Sequence, residues 1–208
     1  MSPVEFSDRL VSDWIQADLG TMVIGREIVV LQQTGSTNDT ILQIMPPDST
    51  EGLVLFAEHQ IAGRGQRGNR WESAAGKGLW FSILLRPNIH ITNSSRLTIW
   101  AAEAISDVIQ TEFTIKPTIK FPNDIQIDGR KVAGVLVEMR AQEKAPHLAI
   151  VGIGINVNHG LKDFPEELQC GAISLAMSLG RQVDRQKLAV ALLRNLDRGY
   201  RERFGRSA

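Results

Sequence analysis

The feature that most restricts the fold is a glycine-rich segment, residues 63–78, with the sequence GRGQRGNRWESAAGKG. Its five glycines allow positive φ angles and close approach to a ligand, and its three arginines carry permanent charges suited to phosphate or carboxylate. Two apolar runs that predict strands, residues 53–57 and 79–85, flank it. A long loop without apolar periodicity inside a compact domain is usually functional or disordered. We therefore predict an anion-binding lid held at both ends by a β-sheet.

A formal G-x-G-x-x-G pattern at Gly63, Gly65 and Gly68 raises a dinucleotide site as an alternative. In dinucleotide-binding folds this pattern follows a strand and opens a helix whose N-terminus meets the pyrophosphate. Here Trp71, more glycine and another predicted strand follow, so the pattern disfavours that reading. A solvated basic loop without function is the other alternative, and the tryptophan and the glycine content argue against it.

Hydrophobic periodicity along the 208 residues predicts one α+β domain, residues 1–208. Strands are predicted at residues 27–32, 53–57, 79–85, 118–120, 125–127, 131–138 and 148–157. Helices are predicted from residues 2–3 to 15, at 41–44 with a stop at 46–48, at 96–111, at 172–179, and after Asp184 to 196. These elements predict a mixed, mainly antiparallel sheet with helices on one face.

The overall composition limits the partners. The 23 basic and 23 acidic side chains give no net charge, which argues against a dedicated nucleic-acid binder. No apolar run reaches the length of a membrane span, and residues 1–13 contain no signal-peptide core. The single cysteine, Cys170, fits a reducing compartment and is predicted to be a small packing residue. We therefore predict a cytoplasmic protein that contacts neither nucleic acid nor membrane.

Polar residues cluster at strand ends and turns: residues 36–38, the glycine-rich segment, and Lys120 with residues 123–124 and Lys131. The four histidines are scattered without metal-ligand spacing, and neither a P-loop nor a G-x-S-x-G elbow is present. Fixed positive charge and backbone N–H groups suit acyl or nucleotidyl transfer to phosphate. Simple helix capping by residues 36–38, and solvated lysines, remain open alternatives.

Four segments resemble, in order and roughly in spacing, the signature blocks of the biotin–protein ligases: residues 63–71, 120–124, 130–138 and 152–158. Residues 36–38 also match the first substrate-contacting segment of that family. The resemblance covers about residues 27–160, and the helical remainder is compatible with it.

The resemblance implies a biotin/lipoate ligase catalytic-domain fold and a two-step reaction. Biotin and ATP, with Mg²⁺, would give biotinyl-5′-AMP and pyrophosphate. The ε-amine of a lysine on the biotin carrier domain of a biotin-dependent carboxylase would then attack the mixed anhydride and release AMP. A glycine-rich lid over an acyl-adenylate would exclude the water that hydrolyses it.

By the same resemblance, Lys131 and Arg64 are the expected catalytic residues, stabilising charge on the carboxylate and α-phosphate. The expected substrate-binding residues are Ser36, Thr37, Asn38, Gln60, Gly63, Arg64, Gly65, Gln66, Lys131, Gly134, Leu136, Gly152 and Gly154. The expected nucleotide-binding residues are Arg67, Trp71, Lys120, Asn123, Asp124 and Asn156. Asn156 and Asp124 would lie on the nucleotide or metal side, and no metal ligand is assigned.

The sequence departs from the family at several points. Gln66 stands where many members have arginine, and Phe121 where tryptophan is usual. We expect neither a preceding DNA-binding domain nor the small C-terminal β-domain of relatives. Lipoate or octanoate transfer on the same fold is disfavoured because an Arg-Arg-x-x-Gly-Gly-Gly-type block is lacking. A protein that only binds biotin or its adenylate is a second alternative, and unpaired edge strands are compatible with a homodimer.

Overall fold

A computed structural model describes residues 8–45, 51–142 and 147–205. The helices are α1 Ser12–Leu19, α2 Thr37–Ile44, α3 Ser94–Phe113, α4 Leu175–Leu179 and α5 Arg185–Phe204. The strands are β1 Glu27–Leu31, β2 Leu53–Ala57, β3 Gly78–Leu85, β4 Thr118–Lys120, β5 Asp124–Ile127, β6 Arg130–Arg140 and β7 Leu148–Asn156. The helix start predicted at residues 2–3 and the stop predicted at 46–48 lie outside the described residues.

The strands of the described part of the chain form one sheet in the order β1-β2-β3-β7-β6-β5-β4. β1 and β2 are parallel, with α2 in the connection between them, and every other neighbouring pair is antiparallel. The predicted β5–β6 hairpin turns at Asp128 and Gly129, whose φ angles of 50° and 75° are those of a tight two-residue hairpin turn. The prediction of a mixed, mainly antiparallel sheet is confirmed.

The main core lies between the sheet and the helices α1, α3 and α5. It contains Phe56 and Phe81 from the sheet and Trp100 and Leu193 from α3 and α5. Successive strand residues point to opposite faces, so Leu55 and Leu84 face away from this core. They pack with Ile41 of α2 in a second, smaller core. Helices α1, α3 and α5 therefore cover one face of the sheet, and α2 covers part of the other face.

The face that carries α2 is also where β6 and β7 lack side chains. Gly134 of β6 is paired with Gly154 of β7, and Leu136 is paired with Gly152 two residues further along. The glycine-rich segment connects β2 to β3 and crosses this face, as the lid prediction requires. The candidate site therefore lies beside α2, over the strand backbone at Gly134, Gly152 and Gly154.

Helix ends follow the predicted caps where polar side chains are available. The Asp184 side chain accepts a hydrogen bond from Lys187 N, and Gly180 ends α4 with a φ of 68°. α4 is shorter than predicted because Ser174 caps it by accepting from Met177 N. Cys170 is exposed, so its predicted packing role is wrong. Within the described ranges, every helix is too short or too polar to cross a membrane.

Candidate functional site

A pocket on the α2 face of the sheet collects most of the predicted site residues. The predicted site residues that line this pocket are Ser36, Thr37, Asn38, Gln60, Arg64, Gly65, Gln66, Trp71, Asn123, Lys131, Gly134, Leu136, Gly152 and Gly154. Val135 and Ile153 complete the lining. Residues more than 100 positions apart in the chain thus meet in one place.

The N-terminus of α2 supplies one polar end of the pocket. Ser36 is the N-cap residue, but its side chain makes no capping hydrogen bond. Instead Gln60 Oε1 accepts from the backbone N–H of Thr37 at 2.8 Å and from its hydroxyl at 3.1 Å. Simple capping by the side chains of residues 36–38 therefore does not account for this segment, whose hydroxyl and amide groups face the pocket.

Ser82 of β3 belongs to the same polar end and was not predicted. Its buried Oγ lies 2.6 Å from Asn38 Oδ1 and 2.8 Å from Thr37 Oγ1. The available signal was a hydroxyl inside an otherwise apolar strand. Its partner across the β3–β7 ladder is Gly152, a predicted site residue, but that pairing is a tertiary fact.

The glycines of β6 and β7 form a floor that tolerates no side chain. A Cβ at Gly152 would lie 2.2 Å from Asn38 Oδ1. Cβ atoms at Gly134 and Gly154 would lie 2.8 Å and 2.5 Å from ring atoms of Trp71. The floor is therefore backbone, with α2 and the lid directly above it.

The lid folds back on itself as a short hairpin. Trp71 N donates to Gly63 O at 2.9 Å, and Gly65 N donates to Asn69 O at 2.7 Å. A 3₁₀ turn, Gln66–Gly68, forms the tip, with positive φ at Arg67 and Gly68. The hairpin brings Arg64 and Trp71, seven positions apart, over the same floor.

Two carboxylates hold Arg64. Its Nη1 and Nη2 donate to Glu138 Oε1 and Oε2 at 2.9 Å and 2.8 Å, and Nη2 also donates to Asp39 Oδ1 at 2.7 Å. These contacts, first of all the hydrogen bonds to Glu138, raise the pKa of Arg64. Burial by itself raises the pKa of Glu138, but hydrogen bonds from Arg64 and Asn38 outweigh it and hold that pKa below its usual value. Sequence reasoning missed both carboxylates.

Lys131 is held by its side chain and by its backbone. Nζ lies 2.6 Å from Asp124 Oδ1 and 5.1 Å from the centre of the Trp71 ring. The Lys131 carbonyl accepts from Ile173 N at 3.0 Å. Asn156 Nδ2 donates to the carbonyls of Lys131 and Ile173 at 3.4 Å and 3.2 Å. Asn156 therefore secures the backbone beneath Lys131.

Five predicted site residues do not line the pocket: Gly63, Arg67, Lys120, Asp124 and Asn156. Gly63 is at the base of the lid, where a Cβ would lie 2.5 Å from the Trp71 carbonyl oxygen. Arg67 is exposed at the lid tip, and Lys120 is exposed at the end of β4. Asp124 and Asn156 reach the pocket through Lys131. The binding roles of these five residues stay predictions.

A series of aromatic rings leads from the lid into the protein. Trp71 and Trp80 meet edge to face with centres 6.1 Å apart, and Trp80 meets His159 in the same way at 5.6 Å. His159 stacks on Phe164 at 4.8 Å. Burial, opposed by Asp163 and aided by Lys77, lowers the His159 pKa to about 4. This neutral imidazole is a packing group below the lid.

The acidic residues are not arranged to hold a metal by themselves. In residues 8–45, 51–142 and 147–205, no group of three or more His, Cys, Asp or Glu residues could bind a metal ion. Mg²⁺ in nucleotide sites often uses only one or two protein carboxylates and is carried mainly by phosphates and water. Asp124, beside Lys131, is the carboxylate that fits such a role.

Comparisons with known proteins identify the family and the fold. Residues 30–156 match the model of the biotin/lipoate A/B protein ligase family. The chain is 37% identical over 194 residues to the bifunctional ligase/repressor BirA of Bacillus spizizenii, covering 93% of this chain and 60% of that protein. It is 33% identical over 201 residues to the biotin–[acetyl-CoA-carboxylase] ligase of Mycobacterium tuberculosis, covering 91% of this chain and 72% of that protein.

A solved structure shares the fold. The biotin protein ligase from Aquifex aeolicus in complex with biotin and ATP superimposes with a TM-score of 0.73 at 28% identity. That match covers 86% of this chain and 74% of the other. The chain spans about 60% of the length of the Bacillus relative. Because the family model matches more than half of the 208 residues, the chain belongs to the biotin/lipoate A/B protein ligase family.

Proposed function

We propose that this protein is a biotin–[acetyl-CoA-carboxylase] ligase that forms biotinyl-5′-AMP from biotin and MgATP and transfers biotin to a carrier lysine. The observation that carries the proposal is the glycine floor of Gly134, Gly152 and Gly154, in a pocket that Thr37, Asn38, Arg64 and Lys131 also line. The names of the Mycobacterium and Bacillus relatives support it.

The polar end suits the ureido group of biotin. A ureido group offers two N–H donors and one carbonyl acceptor, and it needs partners of both kinds in a buried site. Ser36, Thr37, Asn38 and Gln60 line this end and supply hydroxyl and amide groups that can donate and accept, and Ser82 holds Thr37 and Asn38 from behind. All five are buried. Trp71 lies on Gly134 and Gly154 in this structure, and once it moves aside Leu136 and the glycine backbone would give a flat apolar slot for the fused rings.

The positive charges of Arg64 and Lys131 suit the groups that react, the biotin carboxylate and the α-phosphate of ATP. A biotin carboxylate oxygen attacks the α-phosphorus of ATP, the bond to the bridging oxygen breaks, and pyrophosphate leaves. The carrier amine then attacks the acyl carbon, AMP leaves, and the amine loses a proton. Arg64, Lys131 and the N–H group of Gln66 would stabilise the negative charge that these steps concentrate between carboxylate and phosphate. Lys131, 2.6 Å from Asp124, acts as a charged ammonium rather than a base.

The nucleotide would lie on the Trp71 side of the pocket. Trp71 would enclose the adenine, with Asn123 lining the same wall. Arg67 and Lys120 would meet the outer phosphates, and Asn156 would act by holding Lys131 in place. Asp124 would help to hold the Mg²⁺ that the phosphates bring with them. Gly63 would set the base of the lid.

The partner would be the biotin carrier domain of a biotin-dependent carboxylase, in the cytoplasm. Its lysine must approach the mixed anhydride while the lid keeps water away from it. Homodimerisation and the lack of nucleic-acid binding remain sequence-based predictions.

The decisive experiment measures biotin-dependent pyrophosphate release from MgATP and then transfer of labelled biotin to a carrier domain. We expect release and transfer together, with lipoate and octanoate giving neither. Lipoate-dependent release without a biotin response would instead favour lipoate or octanoate transfer on this fold. Biotin binding without any release would favour a binding-only protein, and Gln66→Arg would then test whether the missing arginine accounts for the inactivity.

A further inference from the structure

We propose that Glu138 and Asp39 oppose each other in controlling Arg64: Glu138 positions the guanidinium for the ligand carboxylate, whereas Asp39 competes with that carboxylate. The inference rests on the proposed function, because it takes biotin as the anionic ligand. It assigns a positioning role to Glu138, at the end of the 130–138 block, and a competing role to Asp39 in the first turn of α2.

The contacts to Glu138 are the stronger set. Glu138 receives a two-point fork from Arg64 and a third hydrogen bond from Asn38 Nδ2, at 2.7 Å. Bidentate charge-assisted contacts fix the plane of a guanidinium as well as its position. The Asn38 amide is itself held by Ser82 Oγ at 2.6 Å. Glu138 thus ties the lid arginine to the polar end of the pocket.

The contact to Asp39 is weaker and easier to exchange. It is a single bond of 2.7 Å from Arg64 Nη2, to a side chain that is 52% exposed, against 33% for Glu138. Nη2 donates to both carboxylates, so both of its hydrogens are used. A ligand carboxylate that takes a hydrogen from Nη2 must displace one partner, and Asp39 is the one with less holding it.

The local charge gives the exchange a direction. Arg64 is paired with two carboxylates, Asp39 and Glu138, whereas Lys131 is paired with Asp124, and the charge of Arg140 also acts on Glu138. The exposed Asp39 carboxylate therefore presents a negative charge to any anion that approaches Arg64. An anionic ligand meets repulsion there until Arg64 turns from Asp39 toward it. Removing the Asp39 charge should favour the anion, whereas removing the Glu138 charge should release the guanidinium from its set position.

The test compares biotin with biotinamide, which keeps the ring system but lacks the carboxylate. Calorimetry gives both dissociation constants. The preference for biotin is the dissociation constant of biotinamide divided by that of biotin. In Glu138→Gln we expect this preference to fall about 10-fold, the size of one charge-assisted hydrogen bond. In Asp39→Asn we expect it to rise about 3-fold, because an exposed charge is partly screened. Adding salt should shrink the Asp39→Asn effect.

Glu103→Gln is the matched control. Glu103 forms an exposed pair with Arg203 at 2.5 Å, is 38% exposed, and does not line the pocket. It should leave the preference unchanged. An unchanged preference in both site variants, or a fall in Asp39→Asn, would overturn the inference while wild-type protein still binds biotin. Should Glu138→Gln not fold, Asp39→Asn decides alone. Wild-type protein that binds neither compound would instead refute the proposed function, and this inference with it.

Discussion

Trp71 covers Gly154 so closely that a Cβ on the glycine would lie 2.5 Å from the indole ring. The lid and the floor of the pocket therefore fit together only when residue 154 has no side chain. This contact joins two of the blocks found in the sequence, residues 63–71 and 152–158.

Gly154→Ala should push Trp71 away from the floor and place a methyl group in the slot proposed for biotin, and overpacking of about 1–3 kcal/mol against the bound rings should weaken biotin binding about 10-fold or more. Titration calorimetry measures the loss, and the part of the intrinsic fluorescence that a Trp71→Phe substitution removes reports the displacement. Gly160→Ala is the control, since the nearest atom to a Cβ there is 3.7 Å away. Equal biotin affinity in wild type and Gly154→Ala would show that the lid opens freely over this position.

Lys131→Ala should reduce biotin-dependent pyrophosphate release about 100-fold or more, because it removes a fixed charge from the reacting carboxylate and phosphate. Folding should change little, since the Asp124–Lys131 pair is partly exposed and such pairs contribute up to about 1 kcal/mol. The comparison is Lys187→Ala, whose side chain is 87% exposed on α5. A release rate in Lys131→Ala equal to that of the Lys187 variant would remove Lys131 from the mechanism.

His159 should make the protein sensitive to acid. Its pKa is lowered to about 4 in the folded state, against 6.5 for an unperturbed histidine, chiefly by burial. The unfolded chain therefore binds the proton first, so stability from this group is complete above pH 6.5 and is lost as the pH falls toward 4. The loss should reach about 3 kcal/mol at most.

Denaturant unfolding at pH 7 and pH 5 measures this loss. His159→Phe, which keeps a ring against Phe164 and Trp80, should flatten the pH dependence of the unfolding free energy. His90→Gln, at an exposed position, should leave the slope as in wild type. A His159→Phe protein with the wild-type slope would mean that other groups carry the acid sensitivity.

Removing Arg185 should lower the free energy of unfolding more than removing any other arginine, because this side chain holds the chain at both ends of the lid. This side chain is 2% exposed, and its Nη1 donates to Glu58 Oε2 at 2.7 Å and to Gly78 O at 3.0 Å. Arg185→Leu leaves Glu58 buried without its cation, which costs about 3–5 kcal/mol. Thermal or urea unfolding gives the value, with Arg181→Leu as the exposed comparison. A cost below 1 kcal/mol would contradict the role of Arg185 as an anchor.

Much of the fold could be read from local pattern. The β2 and β4 bounds agree with the predicted runs, and the β5–β6 hairpin forms at Asp128 and Gly129. These elements are set by side-chain alternation and by turn residues, which act over a few positions. The start of α4 could not be read in this way, because Ser174, two residues after the predicted start, took the cap position.

The candidate site divides in the same manner. The glycine-rich lid stands out in the sequence because its composition is unusual. The Thr37–Asn38 segment and Lys131 were assigned through the clustering of polar residues and the family resemblance. Ser82, Asp39 and Glu138 look ordinary along the chain, and they enter the site only through the β3–β7 ladder, the first turn of α2 and the fork to Arg64. Asn156 was recognised, but its observed contacts are to the backbone of Lys131 and Ile173.

The sequence by itself determined the family and the segments that are candidates for the chemistry, because glycine, arginine and lysine in those patterns have few structural uses. Only the tertiary structure decided which groups meet: that α2 lies on the face opposite α1, α3 and α5, that Trp71 closes over Gly134 and Gly154, and that Arg64 lies between two carboxylates. The physical reason is the distance along the chain over which each kind of interaction acts. Propensity and turn chemistry act between near neighbours, whereas charge pairing and close packing depend on distances that exist only after the sheet has assembled.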